Sequence, residues 1–140
     1  MSLYLDASVI VALLTNDIFT SRADAYIRNH PDVLIVSDFA GAEFASVIAR
    51  RVRTREVTDR VARRVFAEFD AWTARNTERA ETTTADVMTA TQAHRRLDLT
   101  LRTADALNLA IAQRIDAIVI TFDEKMIVAA KALRIPVAAA

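Results

Sequence analysis

Four carboxylates, Asp6, Glu43, Asp105 and Asp123, each stand in an apolar stretch of the sequence, where an isolated acid is costly. Asp6 follows Leu3-Tyr4-Leu5 and Asp123 follows Ile118-Val119-Ile120-Thr121-Phe122, runs that read as buried strands. Both acids therefore belong at a sheet rim. In open parallel sheets, ligands bind at the rim formed by the carboxyl ends of the strands. Glu43 and Asp105 fall inside helical patterns, Phe39 to Val52 and Thr103 to Arg114. Carboxylates brought within about 5 Å repel by roughly 3 kcal/mol per pair at an effective dielectric near 20. A divalent cation removes that penalty. Oxygen ligands, with no cysteine and no clustered histidine, favour magnesium, with manganese as an alternative, over zinc.

Taken singly, three of these acids have a structural role open to them. Asp6 can cap a helix opening at Ser8, and Asp123 one opening at Glu124. Asp105 fits the first turn behind a Thr103 cap, where the helix dipole favours an anion. Glu43 lies too far into its helix for capping, and the four together point to one shared site. Ser8 and Thr121, two positions from Asp6 and Asp123, suit hydrogen bonds that orient carboxylates or a metal-bound water. Local capping and strand-end turns are the alternative use of the same hydroxyls. Asn108, three residues after Asp105, shares its helical face and could touch substrate or metal-bound water. Arg50, seven residues after Glu43, lies nearly on that acid's face about 10 Å along the axis, the spacing for a phosphate contact. Arg102 is a second phosphate candidate, or else an ion-pair partner of Asp98 or Asp105. Asp38 and Glu124 read as first-turn residues, and Asp116 as the start of a strand, away from the rim.

The elements that must position these groups alternate. Strands are expected near Leu3 to Leu5, Val33 to Val36, Arg79 to Thr82, Ala117 to Thr121 and Pro136 to Ala138. Helices are expected over Ser8 to Leu14, Ser21 to Asn29, Asp38 to Arg53, Thr58 to Arg75, Thr84 to Arg96, Thr103 to Arg114 and Glu124 to Leu133. That alternation is the pattern of a parallel sheet flanked by helices, an α/β fold. Ser37, Thr58, Thr83, Thr103 and Asp123 are expected as caps. The 140 residues, with one glycine and two prolines, read as a single domain over 1–140 without a linker. No basic-then-apolar leader precedes the first strand and no apolar run could span a bilayer, so no membrane contact and a cytoplasmic location are expected.

Eighteen basic and eighteen acidic residues cancel, so overall charge does not announce a nucleic-acid binder. Its distribution does more. Between Arg50 and Arg64 stand seven arginines against Glu56 and Asp59, a stretch able to follow a phosphate backbone or to form solvated helix ends. The lone Gly41 excludes a Walker-type loop and a dinucleotide fingerprint, which need several glycines. His30 and His94 lack metal-binding spacing, and no nucleophile elbow supports a serine triad.

The motifs Leu5-Asp6-Ala7-Ser8, Ser37-Asp38-Phe39-Ala40-Gly41-Ala42-Glu43-Phe44-Ala45, Leu101-Arg102-Thr103-Ala104-Asp105-Ala106-Leu107-Asn108-Leu109-Ala110 and Val119-Ile120-Thr121-Phe122-Asp123 resemble the four acidic motifs of PIN-domain ribonucleases. They are most similar to those of VapC-type toxins from bacterial toxin-antitoxin pairs. The resemblance spans nearly the whole chain. Asn108 stands where many relatives carry histidine, and Ala138-Ala139-Ala140 closes the sequence soon after the last strand.

The resemblance implies a three-layer α/β/α fold with a mostly parallel sheet, an acidic groove and a homodimer. It implies single-stranded or looped RNA as substrate and a cognate antitoxin whose tail occupies the groove, with DNA reached only through that antitoxin. One or two magnesium ions on Asp6, Glu43, Asp105 and Asp123 would activate water for in-line attack, leaving a 5′-phosphate and a 3′-hydroxyl. Two other readings compete. One is a PIN-like module that binds RNA or a partner without cutting, and the other a receiver-like phosphoacceptor, which would want a lysine after a late strand where Lys125 and Lys131 lie within the last helix.

Overall fold

The computed structural model describes residues 1–140. Strand β1 (Ser2–Leu5) is central and pairs in parallel with β2 (Val33–Ser37) on one side and β4 (Ile118–Thr121) on the other. β3 (Thr77–Ala80) and β5 (Val137–Ala139) are the edges, giving the all-parallel order β3-β2-β1-β4-β5. Parallel neighbours need crossover connections, and helices supply them. They are α1 (Ala7–Leu14), α2 (Thr20–Asn29), α3 (Asp38–Arg53), α4 (Asp59–Asn76), α5 (Thr84–Arg95), α6 (Thr103–Arg114) and α7 (Glu124–Ala132).

Successive strand residues point to opposite faces, and β1 shows the result. Leu3 and Leu5 enter one core with Val9, Phe44 and Ile48 of α1 and α3, while Tyr4 enters a second core with Leu109, Ile111 and Met126 of α6 and α7. Both faces are covered, which makes three layers. Phe44 stacks on Phe69 with ring centres 4.7 Å apart and joins α3 to α4. On the other face Arg114 reaches from α6 to the buried Asp86 of α5 at 2.8 Å. No helix is long and apolar enough to cross a membrane.

Ser37, Thr58, Thr83 and Asp123 cap their helices as expected, each accepting a backbone N–H from the first turn. Thr103 does not. It is the first residue inside α6, and the cap position belongs to Arg102, which makes no side-chain capping bond. The third strand is also displaced from its expected place, running over Thr77–Ala80 rather than Arg79 to Thr82. α4 passes directly into it at Thr77. Glu78 and Arg79 are exposed on this edge strand, so it carries no apolar alternation to mark its register. Thr82 lies beyond the strand and donates to Asp38 at 2.6 Å.

Four helices end on a residue in the left-handed region: Arg55 (φ 61°) after α3, Leu97 (65°) after α5, Asp116 (55°) after α6 and Arg134 (58°) after α7. Glycine normally takes that position because it has no Cβ to clash. In this chain none of the four is glycine.

Candidate metal centre and active site

Each acid is positioned by an element meeting the carboxyl end of the sheet. Asp6 ends β1 and caps α1; Glu43 lies one turn into α3, which springs from the end of β2; Asp123 follows β4 and caps α7; Asp105 sits in the first turn of α6. All four line one open cleft of about 750 Å³, together with Ser8, Asn108, Arg50 and Arg102.

Asp6 is the most enclosed of the four, 6% exposed. Its Oδ1 accepts from Ser8 Oγ at 2.6 Å and from the Val9 N–H at 3.2 Å, and its Oδ2 from Thr121 Oγ1 at 2.5 Å. Burial raises its pKa, and those neutral donors only partly oppose the shift. Ser8 and Thr121 thus do orient the carboxylate. They also tie the two strand ends together: Ser8 Oγ takes the Phe122 N–H at 3.1 Å and Thr121 Oγ1 that of Asp123 at 3.0 Å.

Glu43 enters from the layer of α3 and meets Asn108 from the layer of α6, whose Nδ2 donates to Glu43 Oε1 at 2.6 Å. Its pKa is raised chiefly by burial, against the Asn108 bond and with help from the charges of Asp6 and Asp105. That mutual influence places three acids in one electrostatic neighbourhood. Asn108 is itself buried, and its amide is committed to Glu43, to the Ala104 carbonyl at 3.0 Å and to Tyr4.

Asp105 and Asp123 share a cation. Arg102 holds Asp105 at 3.1 Å and approaches Asp123 at 3.6 Å. Of the two partners open to Arg102 in the sequence it takes Asp105, while Asp98 pairs with Arg96 at 2.9 Å. Arg50 is exposed on the cleft wall and enters no ion pair. The rest of the arginine-rich stretch is partly spent: Arg51 on Asp17 and Glu56, Arg63 on Asp59, Arg64 on Glu68. Asp38 is held by Thr82 and the Phe39 N–H, and Asp116 lies at the opposite end of the sheet.

Tyr4 is the residue that sequence reasoning passed over. It touches both Ser37 (2.6 Å) and Asn108 (2.5 Å) beneath the cleft. The signal was present, since a tyrosine inside a buried strand must find a partner for its hydroxyl.

The donor set fits a hard divalent cation: four carboxylates, of which the buried Asp6 and the half-buried Glu43 enter no ion pair. With Asp105 and Asp123 turned toward Arg102, no three of the acids gather within reach of one ion. A cation held by three of them would need the guanidinium to give up carboxylate contacts.

The strand order also bears on the phosphoacceptor reading. Receiver-like sheets run 2-1-3-4-5, whereas this sheet runs 3-2-1-4-5 with no lysine in the cleft, and that reading falls.

No curated protein matches the chain. Among solved structures it is similar to VapC20 of Mycobacterium tuberculosis, described as a sarcin-ricin loop cleaving toxin: 19% identity, TM-score 0.73, 91% of this chain and 94% of that one covered. It is similar to DNA-bound VapBC from Salmonella typhimurium, at 13% identity and TM-score 0.73 over 99% and 98% of the two chains. A third is VapBC2 from Rickettsia felis bound to a fragment of its promoter, at 12% identity and TM-score 0.69 over 100% and 99%. The PIN domain family model matches residues 3–132, with all four acids inside the match, and the chain belongs to the PIN domain family.

Proposed function

We propose that the chain, one domain over residues 1–140, is a metal-dependent endoribonuclease and the toxin of a VapC-type toxin-antitoxin pair. The carrying observation is the convergence of Asp6, Glu43, Asp105 and Asp123 from four elements on one cleft, with Asp6 buried and Glu43 half-buried beyond what their neutral partners offset. Asp6, Glu43, Asp105 and Asp123 would hold magnesium or manganese. The ion supplies Lewis acidity toward a phosphodiester and a lowered pKa for water. The chain's own residues supply position. Ser8 and Thr121 fix both oxygens of Asp6, Asn108 fixes Glu43, and Arg50 and Arg102 offer cations for phosphates on either side of the acids. Water attacks the phosphorus in line as the P–O3′ bond breaks and the 3′ oxygen leaves with a proton, so the ends are a 5′-phosphate and a 3′-hydroxyl.

The substrate class is single-stranded or looped RNA, and the protein acts in the cytoplasm as a homodimer. Its partner is a cognate antitoxin with an arginine directed at the carboxylates and an apolar segment laid beside the cleft. Ile18, 88% exposed at its mouth, suits that contact. DNA is reached only through the antitoxin; the neighbours on DNA are VapBC assemblies, not a toxin alone. A non-cutting PIN module draws on Arg102 closing over two acids. One experiment separates the readings. Purified protein incubated with a looped RNA should yield 5′-phosphate ends in magnesium and no cleavage in excess chelator. Persistent cleavage in chelator, or none in either magnesium or manganese, rejects the metal-dependent nuclease.

A further inference from the structure

Beneath the cleft, Ser37, Tyr4, Asn108 and Glu43 form one continuous hydrogen-bonded chain crossing the sheet from β2 to β1 to α6 to α3. Its direction follows from counting protons. Asn108 has a single oxygen and two amide protons. One proton goes to Glu43 Oε1 at 2.6 Å and the other to the Ala104 carbonyl at 3.0 Å. The flipped amide would turn its oxygen toward a carboxylate and a carbonyl together, two acceptors against an acceptor. Asn108 Oδ1 therefore accepts, and its donor is the Tyr4 hydroxyl at 2.5 Å. With its only proton committed, Tyr4 Oη must accept from Ser37 Oγ at 2.6 Å. Ser37 Oγ in turn takes the Ala40 N–H at 2.9 Å. Every polar atom is satisfied in one arrangement only. Tyr4 is fully buried, so no water competes for its hydroxyl.

We propose that Tyr4 is a positioning residue for the nuclease reaction: it locks the amide of Asn108 so that Asn108 only donates to Glu43, holding that carboxylate in the cleft. The role rests on the nuclease reading for its consequence and on geometry alone for its existence. Without the Tyr4 hydroxyl the buried Asn108 oxygen loses its donor, and the amide that holds Glu43 is left free to shift toward another one. Tyr4 touches neither cleft nor substrate, so its loss should appear in turnover rather than in substrate affinity.

The test uses the full chain. In the wild type, both Asn108 side-chain amide protons should exchange with solvent far more slowly than those of a free amide, since both are held in hydrogen bonds. Exchange as fast as that of an exposed amide overturns the lock without any variant. Tyr4→Phe should lower kcat about tenfold, as a small misplacement of a reacting group does, and leave KM within about twofold. Because Tyr4 acts through Asn108, the Tyr4→Phe/Asn108→Ala double variant should be no slower than Asn108→Ala alone. Multiplying losses, or an unchanged kcat in folded Tyr4→Phe, overturn the proposal. A wild type with the expected amide signals but no metal-dependent cleavage would instead reject the nuclease reading.

Discussion

Asp105 and Asp123 answer to one guanidinium, whereas the nearest partners of Asp6 and Glu43 are hydroxyl and amide donors. Two consequences can be measured at this scale. Asp105→Asn keeps a side chain of the same shape but turns a charged candidate metal ligand into a neutral one. Cleavage should fall about 100-fold or more with the circular dichroism spectrum unchanged, and full activity would remove Asp105 from the reaction. Arg102→Ala should act oppositely on the two steps. Freed of the guanidinium, the acids should bind Mn²⁺ about tenfold more tightly by calorimetry, since one charge no longer competes for them. Cleavage should nevertheless slow, because a phosphate contact is gone. Weaker Mn²⁺ binding would show that Arg102 and metal do not contend for the same oxygens.

Among the elements, the helices that carry acids were legible because their caps are chemical: Ser37 and Asp123 announce α3 and α7 by residue type. Where the signal was absent the reading slipped. β3 has no apolar alternation because Glu78 and Arg79 face water, and before α6 the cap expected at Thr103 falls one residue earlier, on Arg102, which caps nothing. The site was legible for a different reason. Acids in apolar surroundings stand out in one dimension, while the Tyr4–Asn108 contact joins residues 104 positions apart and depends on two layers meeting. Helix ends carried no glycine to mark them, and that has an energetic cost. Leu97, 91% exposed with φ 65°, loses no packing when replaced. Leu97→Gly should therefore stabilise the protein by roughly 0.5–1 kcal/mol, relieving left-handed strain against some gain in unfolded-chain entropy. A lower melting temperature would mean that the side chain is held by contacts after all.

For the molecule as a whole, acids shielded from water set its response to pH. Asp6 and Glu43 have folded pKa values above the ordinary 3.8 and 4.5, so the folded state binds their protons more tightly than the unfolded chain does. Their contribution therefore favours folding at low pH and is lost as pH rises from the ordinary carboxylate range through the raised values. Asp86, lowered by Arg114 and local capping bonds despite its burial, runs the other way and loses its contribution as pH falls through its depressed value. In chelator, Asp6→Asn should be as stable as the wild type or more so, with an advantage in melting temperature that grows from pH 4 to pH 7. Magnesium should then raise the melting temperature of the wild type more than that of the variant. An advantage that shrinks with pH would mean the Asp6 charge is compensated in the fold.

The bond between Thr121 and Asp6 spans 115 residues, and its consequence lies in the order of synthesis. At about 5–20 residues per second a ribosome needs on the order of 6–23 s to travel from one partner to the other. Throughout that interval β1 lacks its β4 neighbour, Asp6 lacks one of its hydroxyls, and Asp123 has not been made. An unfinished chain carries three of the four acids on an open sheet and has no assembled cleft. If the chain is the nuclease proposed above, its cutting site is thus not assembled until the fourth strand emerges, whether or not a partner is present. Expression of a fragment ending at Ile115 should leave bacterial growth unchanged under conditions where the full chain arrests it; arrest by the fragment would mean that β4 is dispensable to the cutting site.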